Sequence, residues 1–504
     1  MPASEHPVES CDVAVVGAGI AGLTAAALLA RQGLDVVLLE AHHQSGGCAG
    51  TFKRGPWTFD VGATQVAGLE PGGIHQRLFS HFGLPLPQAT PLDPACVVDL
   101  GDGHAPITLW RDPERWQRER VQQFPGSQRF WRWCDALHQA NWRFAAKDPV
   151  LPPRNPWDLA QLLAALGPAN LASGLLSAAT VADLQRLSGC GGDHRLRRFL
   201  DLQLRLYSQE SADRTAALYG ATVLSMGQEP LGLWHLHGSM QSLSTALEQA
   251  LSAAGGRLRL RHRVTQINRQ GGGWQLTAQP TGQALEAAEV VVTVPPQALL
   301  TLMPQALPAG YAQHLRHLNE PSGALVFYGA VERQWLPAGC SSHLQSNDSE
   351  PGSLFVSVSQ EGDGRAPAGQ ATVIASVFTP AQPWFDPALN PAAHQHRKAL
   401  LMSQIQSGLQ RLLGIPSGAW LHGELATPRA FAHWCGRPMG YVGGLGQHPS
   451  RFGPFGLASR TPVPGLWLCG DSIYPGEGTA GVSLSALMAV RQLLAARGRP
   501  LTLP

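Results

Sequence analysis

Charge is scarce in this sequence. Asp, Glu, Lys and Arg together make up 14% of its 504 residues, against about 25% in an ordinary globular domain. The net charge is only +2. No basic domain, RNA-binding motif or finger spacing occurs, so the field that draws a protein to nucleic acid is missing. Paired cysteines are missing too. Cys11, Cys48, Cys96, Cys134, Cys190, Cys340, Cys435 and Cys469 are scattered singly. Without a Cys-x-x-Cys pair, neither zinc nor dithiol chemistry is expected, and no metal site is assigned. A disulfide framework does not suit a chain this long, whereas a reducing compartment does. The start, MPASEHPVESC, lacks the basic and apolar regions of a signal peptide. Internal repeats and long low-complexity tracts are absent.

One uncharged run bears on membranes. LAQLLAALGPANLASGLLSAATVA, residues 159–182, exceeds the roughly 20 residues that cross a bilayer. Gly167-Pro168 breaks it, and Gln161, Asn170 and several Ser and Thr dilute it. Two short helices are expected, buried or dipping into a lipid interface.

Glycine is plentiful, at 56 residues, and its spacing carries the argument. Residues 12–40 read as strand, tight turn, helix, strand. DVAVVG is a continuous apolar run, as in a parallel strand covered on both faces. LTAAALLARQG is an alanine- and leucine-rich helix closed by Gly33, and LDVVLLE is the second strand. Between them stands GAGIAG, formed by Gly17, Ala18, Gly19, Ile20, Ala21 and Gly22. Gly17 makes the turn, Gly19 lets the backbone approach a pyrophosphate, and Gly22 lets helix and strand pack closely. The helix N-terminus offers free N–H groups to phosphate. Glu40 ends the second strand, where a carboxylate receives ribose hydroxyls.

Two later stretches decide between dinucleotides. QSGGCAGTF brings Gly46, Gly47 and Cys48 soon after the acid, and TFDVGATQV follows. Near the far end, GLWLCGDSIYPGEGTAGVSLSA gives an apolar strand, Gly470-Asp471, and a helix that starts near Gly481 and Val482. Together these pieces resemble the FAD-dependent carotenoid desaturase and isomerase family, within the phytoene desaturase and amine oxidase superfamily. The resemblance implies an α/β fold: a glutathione-reductase-type, Rossmann-like FAD-binding domain with an inserted α+β substrate domain. It implies FAD contacts from the GAGIAG turn, Glu40, Ala41, Gly46, Gly47, Cys48, Ala63, Thr64, Val264, Gly470, Asp471, Gly481 and Val482. Asp471 would bond a ribityl hydroxyl, and the last helix N-terminus would meet the flavin pyrimidine edge, where negative charge develops. The family usually reads Gly-Gly-Arg where this chain has Cys48. That cysteine reads as a small buried hydrophobe rather than a covalent flavin link.

By this resemblance residues 11–100, 236–300 and 426–504 form the FAD domain, and 101–235 with 301–425 form a substrate-binding, membrane-associated domain. GGCAGTFKRGPWTFDVGATQVAGLEPGG is most similar to the 3′,4′-desaturases of photosynthetic bacteria. The activity implied is hydride transfer from an allylic C–H of a carotenoid to flavin N5, creating a conjugated double bond. Oxygen or a membrane quinone would reoxidise the flavin. The location implied is cytoplasmic and peripheral on a plasma or photosynthetic membrane. Trp110, Trp116, Trp131, Trp133 and Trp142 are candidates for the carotenoid pocket or for helix packing. Arg257, Arg259, Arg261 and Arg263 alternate as on one strand face, either solvated or near lipid headgroups. His235 and His237 read as packed or solvated, so no catalytic residue is assigned. Competing readings are a prolycopene isomerase using reduced FAD, a flavin amine oxidase, and a Rab-escort-like binding protein without flavin. The intact glycines, Glu40 and Gly470-Asp471 argue against the last.

Overall fold

The computed structural model describes residues 9–280, 282–318, 321–347 and 351–504. Its first lobe is built on the apolar run read above. Strand β1 (Glu9–Val16) lies between β2 (Val36–Leu39) and the strand Ala284–Val292, parallel to both. Strands Arg257–Arg259 and Leu466–Leu468 extend this parallel core at its two sides. A hairpin, Arg263–Gln270 with Gly273–Gln279, adds an antiparallel wing. Val13 to Val16 and Val36 to Leu39 are buried, because helices cover both faces of a parallel sheet. Helix α1 (Ile20–Arg31) is buried on every side but its last residue. It packs between the helix Gln241–Ala253 and the C-terminal helix Thr479–Ala496. Small residues such as Gly22, Ala25 and Ala26 permit that crowding. Among the described residues, the C-terminal helix alone is long and apolar enough to cross a membrane, yet 67% of it is buried in this core.

The second lobe carries a seven-stranded sheet. Its order is Trp420–Ala426, Gly323–Glu332, Gln370–Thr379, Ser353–Val358, His343–Asn347, Cys96–Asp99, Ile107–Leu109. The helix Pro391–Leu413 packs Ile405, Leu409 and Leu413 into the same cluster as Leu325, Phe327 and Val373. A helical layer, residues 113–224, adjoins the other end of the sheet.

Two expected boundaries shift. Cys96–Asp99 pairs with His343–Asn347, so the first lobe releases the chain before residue 96 rather than at 100. Residues 301–318 pack with the first lobe: Leu299, Met303 and Leu315 share a buried cluster with Val290, Val292 and Leu466. A parallel strand needs cover on both faces, and this segment supplies part of it.

The arginine alternation at 257–263 is not one strand face. A turn at Leu260–His262 intervenes, with Arg261 at φ +59°. Arg257 and Arg259 are tied to Asp35 and Glu9. Most of the tryptophans pack rather than line a pocket. Trp116 and Trp131 are buried with Phe124, Phe130 and Phe199, and Trp110 and Trp133 pack against that cluster. Arg115 lies 3.5 Å over the Trp110 ring.

A buried ionic cluster fastens the lobes together. Arg365 of the second lobe donates from Nε and Nη2 to Asp60 Oδ2, at 3.2 and 3.1 Å. Its Nη1 reaches Asp363 Oδ2 at 3.1 Å. Arg365 and Asp60 are 3% and 2% exposed. His235 is buried against the same Asp363, at 2.9 Å.

Candidate functional site

The three glycines of the first turn do three different things. Gly17 sits at φ +100°, a region L side chains avoid, and a Cβ there would stand 2.7 Å from Thr293 Oγ1. A Cβ on Gly22 would stand 1.8 Å from the Gly17 carbonyl oxygen. A Cβ on Gly19 would meet nothing within 4 Å. So Gly17 and Gly22 are required by the protein's own packing, while Gly19 faces space. Gly19 is also the N-cap of α1, and no side chain caps that end. The first-turn N–H groups of α1 therefore lack the partner that caps normally supply.

Glu40 is folded back onto this turn. Its Oε2 accepts from the Ala18 N–H at 2.7 Å and its Oε1 from the His42 N–H at 2.8 Å. Burial raises its pKa, and the His42 and Ala18 amides oppose that rise. The second glycine pair docks on the first. Gly46 N–H donates to the Ala18 carbonyl at 2.8 Å, and Gly46 adopts φ +109° where a Cβ would crowd Gly50 Cα at 2.9 Å. Ala63 N–H donates to the Cys48 carbonyl at 3.2 Å.

Cys48 is not merely a small hydrophobe. It is hydrogen-bonded with Cys435, which draws its thiol down to about 7, and the Arg437 guanidinium adds to the effect. Arg437 is the residue that the motifs did not reveal. Its Nη2 donates to Asp471 Oδ2 at 2.7 Å and to the Gly443 carbonyl at 2.8 Å. A guanidinium thus reaches the site from the distant loop 435–443, beside the position where an arginine would follow Gly46-Gly47. No local signal marks it, because its neighbours are distant in sequence.

The C-terminal helix completes the wall. Gly478 is its N-cap, again with no side-chain cap. Gly481 packs where a Cβ would stand 2.6 Å from the Gly476 carbonyl. Two uncapped helix N-termini, separated by more than 450 positions in the chain (19 and 478), therefore border one cavity. Every site residue expected from the sequence lines that cavity except Ala18 and Gly22, which hold the turn from behind. His235 and His237 lie outside it; His237 Nε2 is 2.7 Å from Thr90 Oγ1.

The model of flavin-containing amine oxidoreductases matches residues 20–494. The chain belongs to that family. Among curated relatives, this flavoprotein is 26% identical to the hydroxyneurosporene desaturase of Cereibacter sphaeroides, over 96% of its own length and 97% of the relative's. It is 25% identical to prolycopene isomerase 2, chloroplastic, of an Oncidium hybrid cultivar, covering 97% of this chain and 85% of that one. Among solved structures, putrescine oxidase bound to putrescine superposes with a TM-score of 0.66 at 19% identity, over 98% of this chain and 100% of that chain. That last likeness speaks for the fold.

The flavoprotein is an FAD-dependent oxidoreductase, and its residues fit the cofactor. The open space over Gly19, the uncapped first turn of α1 and the Arg437 guanidinium suit a dianionic pyrophosphate, and the uncapped end at Gly478 suits the flavin edge where negative charge develops. The cavity measures about 1150 Å³, more than the roughly 300–1,000 Å³ of a site for one small ligand. Beyond the glycine turns it continues between the lobes. There it is lined by Ala324, Val326, Phe355 and Val377 of the second sheet and by Trp142, Leu218 and Met226 of the helical layer. It reaches Leu162, Leu166 and Asn170 in the two short helices Pro156–Ala165 and Pro168–Gly174. Of the five tryptophans considered, only Trp142 lines it.

Proposed function

We propose that this protein is an FAD-dependent carotenoid desaturase that introduces a double bond at the 3′,4′ position. The observation that carries the reading is the large, mostly apolar cavity lined both by the cofactor glycines and by residues of the segment 162–177. A long polyene needs such a channel, and the hydroxyneurosporene desaturase relative spans nearly the whole chain. When bound, FAD accepts hydride. In this reading Glu40 holds the adenosine ribose and Val264 lies at the adenine. Gly17 to Gly22 and Arg437 hold the pyrophosphate. Asp471, positioned by Arg437, takes a ribityl hydroxyl. Gly481 presents its backbone N–H to the flavin edge, Val482, whose own N–H donates to the Gly478 carbonyl at 2.9 Å, lines the wall beside it, and the second sheet excludes water.

The reading includes a peripheral membrane location at the cytoplasmic face, and oxygen or a quinone as electron acceptor. Its support is the outer face of the two short helices. Leu159, Leu163, Leu171 and Leu175 are 46%, 59%, 67% and 88% exposed, while the inner face lines the cavity. An exposed apolar face on helices that also line the cavity suits a substrate dissolved in lipid. The prolycopene isomerase relative, matched over 97% of this chain, supports a second reading, cis–trans isomerisation with reduced FAD. Expression in a carotenoid-producing host, followed by pigment mass analysis, separates them. Loss of two hydrogens supports desaturation, whereas unchanged mass with altered geometry supports isomerisation. Pigments unchanged in both respects, with the protein present and yellow, would refute both.

A further inference from the structure

No histidine of the WHLHG stretch reaches the cavity, yet removing two hydrogens from a carbon chain releases a proton as well as a hydride. Of the three carboxyls that line the cavity among the described residues, Glu40 is held by the Ala18 and His42 amides and Asp471 by Arg437, which leaves Glu477 for that proton. Glu477 sits in the loop between Asp471 and the C-terminal helix, one residue before the helix N-cap Gly478, and lines the cavity. Its Oε2 accepts from Gln209 Nε2 at 3.0 Å, and its Oε1 is buried without a hydrogen-bond partner. Burying a carboxyl with donors only from Gln209 and the Gly444 amide is costly, so its retention in a cleft calls for a reason.

The surroundings are built around it. Gln209 ends the helix His194–Ser208 in a left-handed conformation, φ +57°, unusual for a residue with a side chain. Its amide is fixed on three sides: Nε2 also donates to the Gly444 carbonyl at 3.0 Å, and Oε1 accepts from the Ser322 N–H at 2.9 Å. Gly443 adopts φ +66°, and a Cβ there would lie 1.9 Å from Gln209 Nε2 and 2.2 Å from Glu477 Oε2. Segments 208–210, 322, 443–444 and 476–478 thus converge to hold one acid. The charged and titratable groups around it are Asp471 and Arg437 on the cofactor side and Tyr219 on the helical-layer side. Desolvation raises its pKa to about 8; the Gln209 hydrogen bond opposes the rise and Asp471 adds to it. A carboxyl tuned close to neutrality in a cleft marks a functional group.

We propose that Glu477 is the proton acceptor of the desaturation. The assignment rests on the desaturase reading. Hydride leaves one carbon for the cofactor, the neighbouring C–H bond gives its proton to the Glu477 carboxylate, and the electron pair left behind becomes the new C=C bond. Gln209 is a positioning residue that aims the carboxylate.

The test uses full-length, FAD-loaded protein and hydroxyneurosporene in liposomes. Wild type and Glu477→Gln should carry equal FAD by absorbance, because the amide keeps the shape and can still accept from Gln209. Infrared difference titration of the resting protein should show a protonated-carboxyl band that disappears as pH rises through about 8, and Glu477→Gln should lack it. In anaerobic single turnover, flavin bleaching by wild type should speed up with rising pH to a plateau above about 8. Glu477→Gln should be slower by about 10²–10⁴-fold, with no such rise. Equal bleaching rates for the two proteins, or a wild-type rate that falls as pH rises, overturn the assignment while leaving the desaturase reading intact. A wild type whose flavin is not bleached at any pH overturns both, and the infrared band then marks a structural acid only.

Discussion

Gly19 and Gly22 stand three positions apart, and alanine at the two sites should produce opposite defects. At Gly22 the added Cβ falls 1.8 Å from the Gly17 carbonyl oxygen. That oxygen belongs to a backbone turn and cannot swing aside as a side-chain tip could. Relief requires α1 and the turn to part by more than an ångström, and such overpacking costs about 1–3 kcal/mol. Alanine's better helix propensity returns at most about 1 kcal/mol. A net loss of about 1 kcal/mol is expected, or ~2–4 °C in Tm for a domain of this size. At Gly19 the backbone is φ −69°, ψ 178°, which any residue adopts, and no protein atom lies within 4 Å of the new Cβ. The apo protein should lose no more than about 1 kcal/mol, from a poorer N-cap. The methyl instead enters the space left for the pyrophosphate. The same 1–3 kcal/mol of overpacking, now opposing binding, corresponds to about 5–150-fold weaker FAD affinity. Thermal unfolding of the apo proteins by circular dichroism and FAD titration by flavin fluorescence give both numbers. Wild-type affinity in Gly19→Ala would refute the placement of the cofactor, and a wild-type Tm in Gly22→Ala would refute the packing argument.

Three further outcomes are expected. Arg365→Met should destabilise the protein by about 3–5 kcal/mol, because buried Asp60 loses its counter-ion and Asp363 is left with His235; adding Asp60→Asn should recover part of the loss, and purely additive losses in urea would contradict the pairing. Glu477 ionises in the unfolded chain at 4.5 and in the fold at about 8, so its contribution is complete below 4.5 and drains away as pH rises through about 8. At about 1.36 kcal/mol per pH unit the ceiling is about 5 kcal/mol; Glu477→Gln should therefore gain Tm on wild type between pH 5 and pH 9, and a constant difference would show that the carboxyl is not buried in the fold. Leu171→Ser with Leu175→Ser should lower liposome co-sedimentation while leaving the circular dichroism spectrum unchanged, and undiminished sedimentation would remove the membrane face from the reading.

The sequence by itself determined the cofactor wall. Gly17, Gly22 and Gly46 are constrained by backbone geometry within a few residues, so the local pattern of strand, turn and helix carried their roles. Glu40 and Gly470-Asp471 were legible for the same reason: each ends a buried strand at a fixed distance from a glycine turn. Tertiary structure decided what depends on partners distant in the chain. It brought Arg437 to Asp471 and Cys48, set Gln209 against Glu477, and turned the chain at Arg261 so that four alternating arginines never shared a face. It also sent four of five tryptophans into packing and one into the cavity. No local pattern can encode these outcomes, because each depends on which surfaces meet when the two lobes close over buried apolar area, and a side chain's chemistry is set by the neighbours that closure supplies.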